Sequence, residues 1–238
     1  MDKGILYLIP VPLGESAISS CIPEQVSELV STLTHFIVEN EKTARRHLKL
    51  LHPEINQSLL SIELLNLRTK EYEIDDLLKP CINGKAVGLL SEAGCPAVAD
   101  PGAILIRRCQ QLEIPVKPLV GPSSILLTLM ASGLNGQRFA FNGYLPHDAT
   151  ERKVQIKLLE RESFHKQQTQ LFMETPYRND KLFQDLLEHL SQDTLLTVGT
   201  EVSLAGEQIY TRTVAEWLSK TPAVLHKRPS IFAILKEA

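Results

Sequence analysis

Cysteine is scarce in this 238-residue sequence, and its spacing indicates no structural framework. The four residues, Cys21, Cys81, Cys95 and Cys109, form no C-x-x-C pair. Zinc sites and disulfide-stabilised domains need closer or more numerous cysteines, so neither is expected. The scattered histidines have no matching ligand pattern, and we predict no metal. This pattern favours a reducing, cytoplasmic setting.

Long apolar runs are also absent. Residues 5–9 are apolar, but Pro10 and Pro12 interrupt the run, only Lys3 precedes it, and no small-residue cleavage site follows. A buried first strand is therefore a better interpretation than a signal peptide. No run is long enough to cross a bilayer, and a soluble protein without membrane partners is expected.

Three further signatures are missing from the sequence. It contains no GxGxxG dinucleotide fingerprint and no GxxxxGK[ST] phosphate loop, which argues against nucleotide-phosphate enzymes. It has no GxSxG elbow, so Ser123 and Ser124 are poor candidates for a hydrolase nucleophile. Its net charge of −3 excludes a global positive field, so any contact with RNA must be local.

What is present is a globular composition with alternating strand and helix patterns. Hydrophobic residues make up 43% of the chain, enough for two domains with separate cores. Short apolar runs alternate with amphipathic stretches up to about residue 120, which predicts a mainly parallel α/β sheet. Consecutive strands later in the chain predict a mixed second sheet. The Pro- and Gly-containing stretch at 115–122 predicts an N-terminal α/β domain over 1–118 and a C-terminal α/β domain over 119–238.

The predicted elements follow directly from these patterns. The strands are expected near 5–9, 35–38, 63–67, 86–90, 115–119, 139–143, 170–173, 195–199, 207–213 and 231–235. The helices are expected near 23–33, 41–51, 71–82, 103–112, 123–133, 151–162, 178–190 and 214–219.

The loops after the predicted strands are the candidate binding segments, because ligands of open parallel sheets bind beyond the carboxyl ends of the strands. Residues 10–15 form a proline-stiffened turn with a glycine, and residues 91–102 form a long loop of small side chains. The first could equally be a rigid turn. The second suggests a cradle for a flat ligand, although Asp100 is also expected to cap the following helix, with Pro101 at its first position.

Other segments are individually weaker. Residues 120–124 lead into an apolar helix whose start could hold a carboxylate or simply carry an ordinary N-cap. Two strands of the second half end in polar turns at 139–146 and 172–178. The run 42–49 places Lys42, Arg45, Arg46 and Lys49 on one helix face, which suits either RNA backbone or solvent.

Taken in order, these segments resemble the tetrapyrrole methylase superfamily, and within it the branch of small-subunit ribosomal RNA cytidine 2′-O-methyltransferases. The family's TPLGN is similar to residues 10–15, EDTR to 39–42, SDAGTPGISDPG to 91–102, PGPSA to 120–124, GFLP to 143–146 and E-x-P-x-R to 174–178.

The resemblance implies two α/β domains, a homodimer, and S-adenosylmethionine in the cleft between the domains. It implies ribosomal RNA or the small ribosomal subunit as the acceptor. Glu39 is the candidate base for a ribose hydroxyl, and Arg45 is the candidate clamp for phosphate or substrate. The implied cofactor contacts are Leu13, Gly14, Gly94, Cys95, Pro96, Val98, Ser123, Ser124 and Ile125, with Met173 closing the far side.

The chain departs from the family pattern at several positions. Asn40 and Glu92 stand where the family has Asp, Lys42 where it has Arg, and Cys95 where it has Thr. The family's RELTK segment aligns with residues 200–204, which contain neither of its basic residues. Two alternatives therefore remain open: a methyltransferase of the same fold acting on a small molecule such as a tetrapyrrole, and a non-catalytic ribosome-binding relative.

Overall fold

A computed structural model describes residues 2–15, 18–65, 69–220 and 224–237. The chain divides into two compact units, Met1–Ser123 and Ser124–Ala238, called unit 1 and unit 2 below. The division falls a few residues beyond position 118, because the segment after the last strand of unit 1 stays with that unit. The Leu119 N–H donates to the Leu8 carbonyl at 3.1 Å.

The described residues of unit 1 form five strands and four α-helices. Short 3-10 helices also occur at Ile18–Ser20, Gln57–Leu59 and Glu71–Glu73. The strands are β1 (Leu6–Ile9), β2 (His35–Val38), β3 (Ser61–Leu64), β4 (Val87–Leu90) and β5 (Val116–Pro118). The helices are α1 (Glu24–Thr32), α2 (Glu41–Leu51), α3 (Ile74–Ile82) and α4 (Gly102–Gln111).

The sheet of unit 1 has the strand order β3-β2-β4-β1-β5, and every pairing is parallel. This confirms the predicted α/β sheet. Because all five strands run the same way, their carboxyl ends lie at one edge of the sheet. The sequence order of the strands differs from their spatial order, so loops far apart in the chain meet at that edge.

Two apolar layers enclose this sheet. Phe36 and Val38 face one layer with side chains from α1 and α2, such as Val30 and Leu48. Ile37, between them in the strand, faces the opposite layer with α3 and α4. This alternation follows from the two-residue period of a strand and makes the sheet a central layer buried on both faces.

Unit 2 has a mixed five-stranded sheet with the order β6-β7-β10-β8-β9, as predicted. Only β6 and β7 pair in parallel. The strands are β6 (Phe139–Tyr144), β7 (Thr169–Met173), β8 (Leu195–Thr200), β9 (Gln208–Thr213) and β10 (Ser230–Leu235). The helices are α5 (Ser124–Ser132), α6 (Ala149–Lys166), α7 (Asn179–His189) and α8 (Val214–Leu218).

The core of unit 2 also lies on both faces of its sheet. α5 packs Ile125 and Leu129 against Ile231 and Ala233 of β10. On the other face α6, α7 and α8 pack around Phe232, which stacks on Phe172 with ring centroids 6.1 Å apart. Both layers close over β10, whose six residues are all buried.

The observed ends of the elements differ from the predicted ends for local reasons. α6 begins at Ala149, earlier than expected, because the Asp148 carboxylate accepts the N–H groups of Thr150 and Glu151. The predicted strand at 63–67 is observed as Ser61–Leu64, and positions 66 and 67 lie outside the described residues. No described helix combines the length and the apolar character needed to span a membrane.

Candidate functional site

The carboxyl edge of the unit 1 sheet brings together the loops that follow four adjacent strands. β2, β4, β1 and β5 are neighbours in that order. They lead into Glu39 and into the segments 91–102, 10–15 and 119–123, respectively. We call these three segments the edge loops. They include two of the segments predicted as cofactor loops and most of the third.

Main-chain contacts join the edge loops to one another. Val11 and Gly94 form an isolated antiparallel bridge in which each N–H donates to the other's carbonyl at 3.0 Å. Gly94 has φ = +72°, and a Cβ there would lie 3.1 Å from the Leu13 side chain and 3.3 Å from the Pro122 carbonyl oxygen. Position 94 therefore needs glycine for both its conformation and its close packing.

The third edge loop is fixed in a similar way. A Cβ on Gly121 would lie 2.2 Å from Pro10 Cβ, a distance that no side chain can adopt. The Cys95 thiol donates to the Pro122 carbonyl at 3.3 Å, and burial raises its pKa so that it stays protonated. Cysteine thus keeps a hydrogen-bond donor at a position where the related family has threonine, although a thiol is a weaker donor.

Asp100 organises the long loop internally. Its carboxylate accepts the N–H groups of Ala97 at 2.8 Å and Gly102 at 2.7 Å. Ala97 and Ala99 have positive φ angles of 66° and 61°, a conformation that costs alanine about 1 kcal/mol. α4 starts at Gly102, one residue before the predicted range 103–112, and Pro101 is its N-cap residue and not its first helical residue. Asp100 nevertheless accepts the N–H of Gly102, the first residue of the helix.

Glu39 directly follows β2 and lies two residues before the first residue of α2. Burial raises the pKa of its carboxyl, and the negative charges of Glu92 and Asp100 raise it further. A hydrogen bond from the Glu92 N–H to the Glu39 carboxylate lowers the pKa, but by less than burial raises it. The result is a carboxylate that is more basic than an exposed glutamate, which is the property that a general base requires.

A buried histidine, which the sequence patterns did not identify, supports the same loop. His47 Nε2 lies 3.2 Å from the Glu92 carbonyl oxygen, so Nε2 carries the proton that is donated. The Thr43 hydroxyl donates to the Glu92 carboxylate at 3.2 Å. Burial lowers the pKa of His47 and keeps the ring neutral. Two residues of α2 therefore position Glu92, whose N–H reaches Glu39.

The predicted basic face of α2 is largely occupied by intrachain partners. Arg45 pairs with Glu41 at 2.8 Å and donates to the Gln57 carbonyl at 3.1 Å. Arg46 pairs with Glu15 at 2.6 Å. Lys42 and Lys49 are exposed and form no ion pair with any described residue. Asn40 caps the helix by accepting the Thr43 N–H, which an aspartate would do equally well.

The predicted cofactor residues lie in both units. Ile125 is buried in the core of unit 2, so only its main chain could contact a ligand. Met173 is the last residue of β7, and Ser124 is the first of α5. In unit 1 the exposure ranges from buried Gly94 and Pro96 to exposed Gly14 and Val98. The residues of unit 1 that are gathered on the edge loops are Leu13, Gly14, Gly94, Cys95, Pro96, Val98 and Ser123.

The corresponding edge of unit 2 is built from charged side chains. Glu174 is buried after β7 and accepts from Arg178 and from the Thr175 N–H, both at 2.6 Å. The turn after β8 contains Glu201, which pairs with Arg228 at 2.9 Å. Arg228 therefore brings a cation to the turn at 200–204, which has no basic residue of its own.

The edge loops are chemically suited to a cationic cofactor such as S-adenosylmethionine. They contain no Lys or Arg, they include Glu92 and Asp100, and Glu39 lies close to both of these carboxylates. A sulfonium is therefore attracted by the carboxylates and meets no cation within these loops. The small side chains of residues 91–102 leave room for a flat or extended ligand beside the backbone of this loop. On these grounds the residues fit the cofactor.

Known proteins match this chain over most of its length. The model of the family described as Tetrapyrrole (Corrin/Porphyrin) Methylases matches residues 19–217. Proteins named ribosomal RNA small subunit methyltransferase I are similar in sequence. The one from Escherichia coli O157:H7 is 29% identical, covering 92% of this chain and 72% of its own. The one from Bacillus subtilis (strain 168) is 30% identical, and the match covers 90% of this chain and 69% of the relative.

Solved structures show the same fold at lower identity. The methyltransferase CobJ matches with a TM-score of 0.64 and 14% identity over 99% of this chain and 95% of its own. The uroporphyrin-III C-methyltransferase of Thermus thermophilus matches with a TM-score of 0.52 and 18% identity, over 98% of this chain and 92% of its own. At such identities the likeness concerns the fold alone.

Proposed function

Because the chain belongs to the tetrapyrrole (corrin/porphyrin) methylase family, we propose that it is an S-adenosylmethionine-dependent methyltransferase acting on a ribose 2′-hydroxyl of small-subunit ribosomal RNA. The names of the sequence relatives support the RNA acceptor. The observation that carries the enzymatic assignment is the set of edge loops, joined by their main chains and lacking cations, beside the carboxylate of Glu39.

The cofactor would be held mainly by main-chain groups and small side chains. Bound S-adenosylmethionine supplies an electrophilic methyl group on a sulfonium. The carboxylates of Glu39, Glu92 and Asp100 favour this charge, and the small side chains of residues 91–102 leave room beside the backbone. Ile125 contributes through its main chain. The proposed contacts are Leu13, Gly14, Gly94, Cys95, Pro96, Val98, Ser123, Ser124, Ile125 and Met173.

Glu39 is the proposed general base. Methyl transfer is an in-line displacement, so the protein mainly aligns the reactants and excludes water. As the new oxygen–carbon bond forms, the carboxylate of Glu39 takes the proton of the ribose hydroxyl. His47 and Thr43 hold Glu92 in place, and the Glu92 N–H orients Glu39. They act as positioning residues.

The basic face of α2 is the proposed contact with RNA backbone. Lys42 and Lys49 can contact RNA phosphates without breaking an existing ion pair, since they form none with any described residue. Arg45 would serve as the clamp only by exchanging Glu41 for a phosphate. Because Arg45 is half-buried and also bonded to the Gln57 carbonyl, that exchange costs more than recruiting an exposed lysine.

We also propose that the protein is a cytoplasmic homodimer. α5 exposes Leu126 and Met130 on the side away from its own core, and apolar surface of this kind suits a second copy of the chain. Sedimentation equilibrium measures the oligomeric state directly. Met130→Lys is expected to shift the protein toward the monomer, and a monomeric wild type would contradict the proposal.

The decisive experiment is transfer of labelled methyl from S-adenosylmethionine to small ribosomal subunits that lack ribose methylation. Free ribosomal RNA and tetrapyrroles serve as parallel acceptors. We expect label on the RNA in a ribose 2′-O-methyl group, located by nuclease digestion and mass spectrometry. Label confined to a tetrapyrrole would refute the RNA assignment. An absence of cofactor binding by calorimetry would indicate a non-catalytic relative.

A further inference from the structure

An exposed tyrosine lies in the turn between β7 and α7 of unit 2. Tyr177 is 71% exposed and precedes the first residue of α7 by two positions. The adjacent Glu174 and Arg178 are fixed by their ion pair. A ring that contributes so little to the core leaves most of its surface for a binding partner.

The backbone around Tyr177 is rigidly supported by the segment that precedes β10. The Lys227 N–H donates to the Pro176 carbonyl at 2.9 Å. The Asn179 side-chain amide donates to the Arg228 carbonyl at 2.6 Å. Lys227 has φ = +62°, a left-handed conformation that is costly for lysine and is maintained here by these contacts. Tyr177 and Lys227 are thus held in a defined arrangement.

A cation and a second aromatic ring lie directly beside the Tyr177 ring. The Lys227 ammonium is 6.0 Å from the centroid of the Tyr177 ring. The His226 ring meets it edge-on, with centroids 6.1 Å apart and an interplanar angle of 77°. Lys227 forms no ion pair with any residue that the structure describes. The site therefore combines an exposed aromatic face with an uncompensated positive charge.

The acidic residues nearby are already engaged in other interactions. Glu174 accepts from Arg178, Glu201 pairs with Arg228, and Glu207 accepts the Ser203 N–H at 2.6 Å. Asp180 accepts the Leu225 N–H at 3.0 Å. Asp180 also lies 3.9 Å from His226 Nδ1, whereas no described carboxylate pairs with Lys227, so the Lys227 ammonium is the charge beside Tyr177 that stays unpaired.

From this arrangement we infer that Tyr177, His226 and Lys227 form a stacking platform for one unpaired nucleotide of the RNA acceptor. The inference rests on the proposed function. A base would stack on the tyrosine ring while Lys227 meets the neighbouring phosphate, the combination by which proteins bind single-stranded nucleic acids. Bases within a duplex are already stacked, so the platform selects an unpaired segment.

Tyr72 provides a matched comparison within the same chain. It is 70% exposed, and the Lys70 ammonium lies 5.6 Å from its ring centroid. There, however, the surrounding segment is acidic, because Glu73, Asp75 and Asp76 follow Tyr72 within four positions. The segment around Tyr72 therefore repels an anionic polymer more strongly than the Lys227 side of Tyr177 does. Tyr72→Leu is therefore a control for the loss of an exposed tyrosine.

The test is fluorescence anisotropy of the full chain with a labelled single-stranded RNA of about 12 nucleotides, within the site sizes known for such proteins. Tyr177→Leu is expected to weaken binding about tenfold, the usual loss for one stacked base. Tyr177→Phe should bind like the wild type because it keeps the ring. Lys227→Gln should weaken binding about threefold and flatten its salt dependence. Tyr72→Leu should have no effect.

Two further measurements separate this inference from the proposed function. Calorimetric affinity for S-adenosylmethionine should be the same in all variants, which shows that they are folded. If the wild type binds and methylates RNA while Tyr177→Leu binds it equally well, the platform is refuted and the function stands. If Tyr72→Leu weakens binding as much as Tyr177→Leu does, the platform is also refuted. If the wild type binds cofactor but no RNA, the proposed acceptor fails and the platform fails with it.

Discussion

The carboxyl edges of the two sheets are stabilised by different kinds of interaction. In unit 1 the edge loops are joined by main-chain contacts, the Val11–Gly94 bridge and the packing of Gly121 on Pro10, and they contain no Lys or Arg. In unit 2 the edge is built from the ion pairs Glu174–Arg178 and Glu201–Arg228. A cationic cofactor suits the first edge. The ion pairs of the second edge cancel their own charges, so the proposed contact with RNA there depends on Lys227.

The same contrast extends to the ion pairs away from the edges. Arg152 and Asp185 of unit 2 pair at 2.6 Å with side chains only 8% exposed. Arg46 and Glu15 of unit 1 pair at the same distance with side chains 60% and 86% exposed. Equal distances therefore carry unequal energies, because solvent screens the second pair and not the first.

The largest expected effect concerns the chemistry assigned to unit 1. Glu39→Gln removes the proposed base and should lower kcat for methyl transfer about 100- to 10,000-fold, while cofactor affinity is retained. In the wild type, kcat/KM should rise with pH through a pKa above the usual range of a glutamate, because burial and neighbouring carboxylates raise it. Glu28→Gln, on the exposed side of α1, is the control. An unchanged kcat would exclude Glu39 as the base.

The next effect tests whether main-chain contacts hold the edge loops. Gly121→Ala places a methyl group 2.2 Å from Pro10 Cβ, so the loops must separate. We expect a loss of about 3 kcal/mol in the free energy of unfolding and loss of cofactor binding. Gly136→Ala, at a position with open space around it, is the matched control. Urea denaturation measures the free energy of unfolding, and calorimetry measures cofactor binding. Normal cofactor affinity in Gly121→Ala would contradict the claim that the contact of Gly121 with Pro10 holds the edge loops together.

A smaller effect tests the buried charge of unit 2. Arg152→Met removes the partner of Asp185 and the donor to the Pro146 and His147 carbonyls. Lys181 still pairs with Asp185 at 2.8 Å, so we expect a loss of about 2–3 kcal/mol, at the lower end for a buried pair. Urea denaturation measures it. A loss below about 1 kcal/mol would mean that the buried pair contributes no more than an exposed one.

The smallest effect concerns the exposed pair of unit 1. Glu15→Gln removes the partner of Arg46 and should change the free energy of unfolding by less than about 1 kcal/mol, since both side chains are solvated. It also releases Arg46 toward RNA, so affinity for single-stranded RNA at low salt should rise modestly. Urea denaturation of Glu15→Gln and Arg152→Met under the same conditions compares the two ion pairs. Similar losses in the free energy of unfolding would mean that the buried pair of unit 2 and the exposed pair of unit 1 contribute equally.

The order and type of the elements in both units could be predicted from local sequence signals. Helix α2 runs from Glu41 to Leu51 as predicted, because its apolar period, the cap at Asn40 and Pro53 after it are all local signals. The parallel sheet of unit 1 and the mixed sheet of unit 2 follow from whether helices separate the strands. The candidate loops were also recognisable, since each combines small or turn-forming residues directly after a strand.

The contacts between side chains that are distant in sequence depend on the folded arrangement of the strands. The spatial order β3-β2-β4-β1-β5 brings Gly121 onto Pro10 and His47 onto the carbonyl of Glu92. Arg228 supplies a cation to the turn at 200–204, which lacks one in sequence. These contacts join residues far apart in the chain. Local periodicity and turn chemistry act over a few residues, so they specify each element but not the strand order that sets these neighbours.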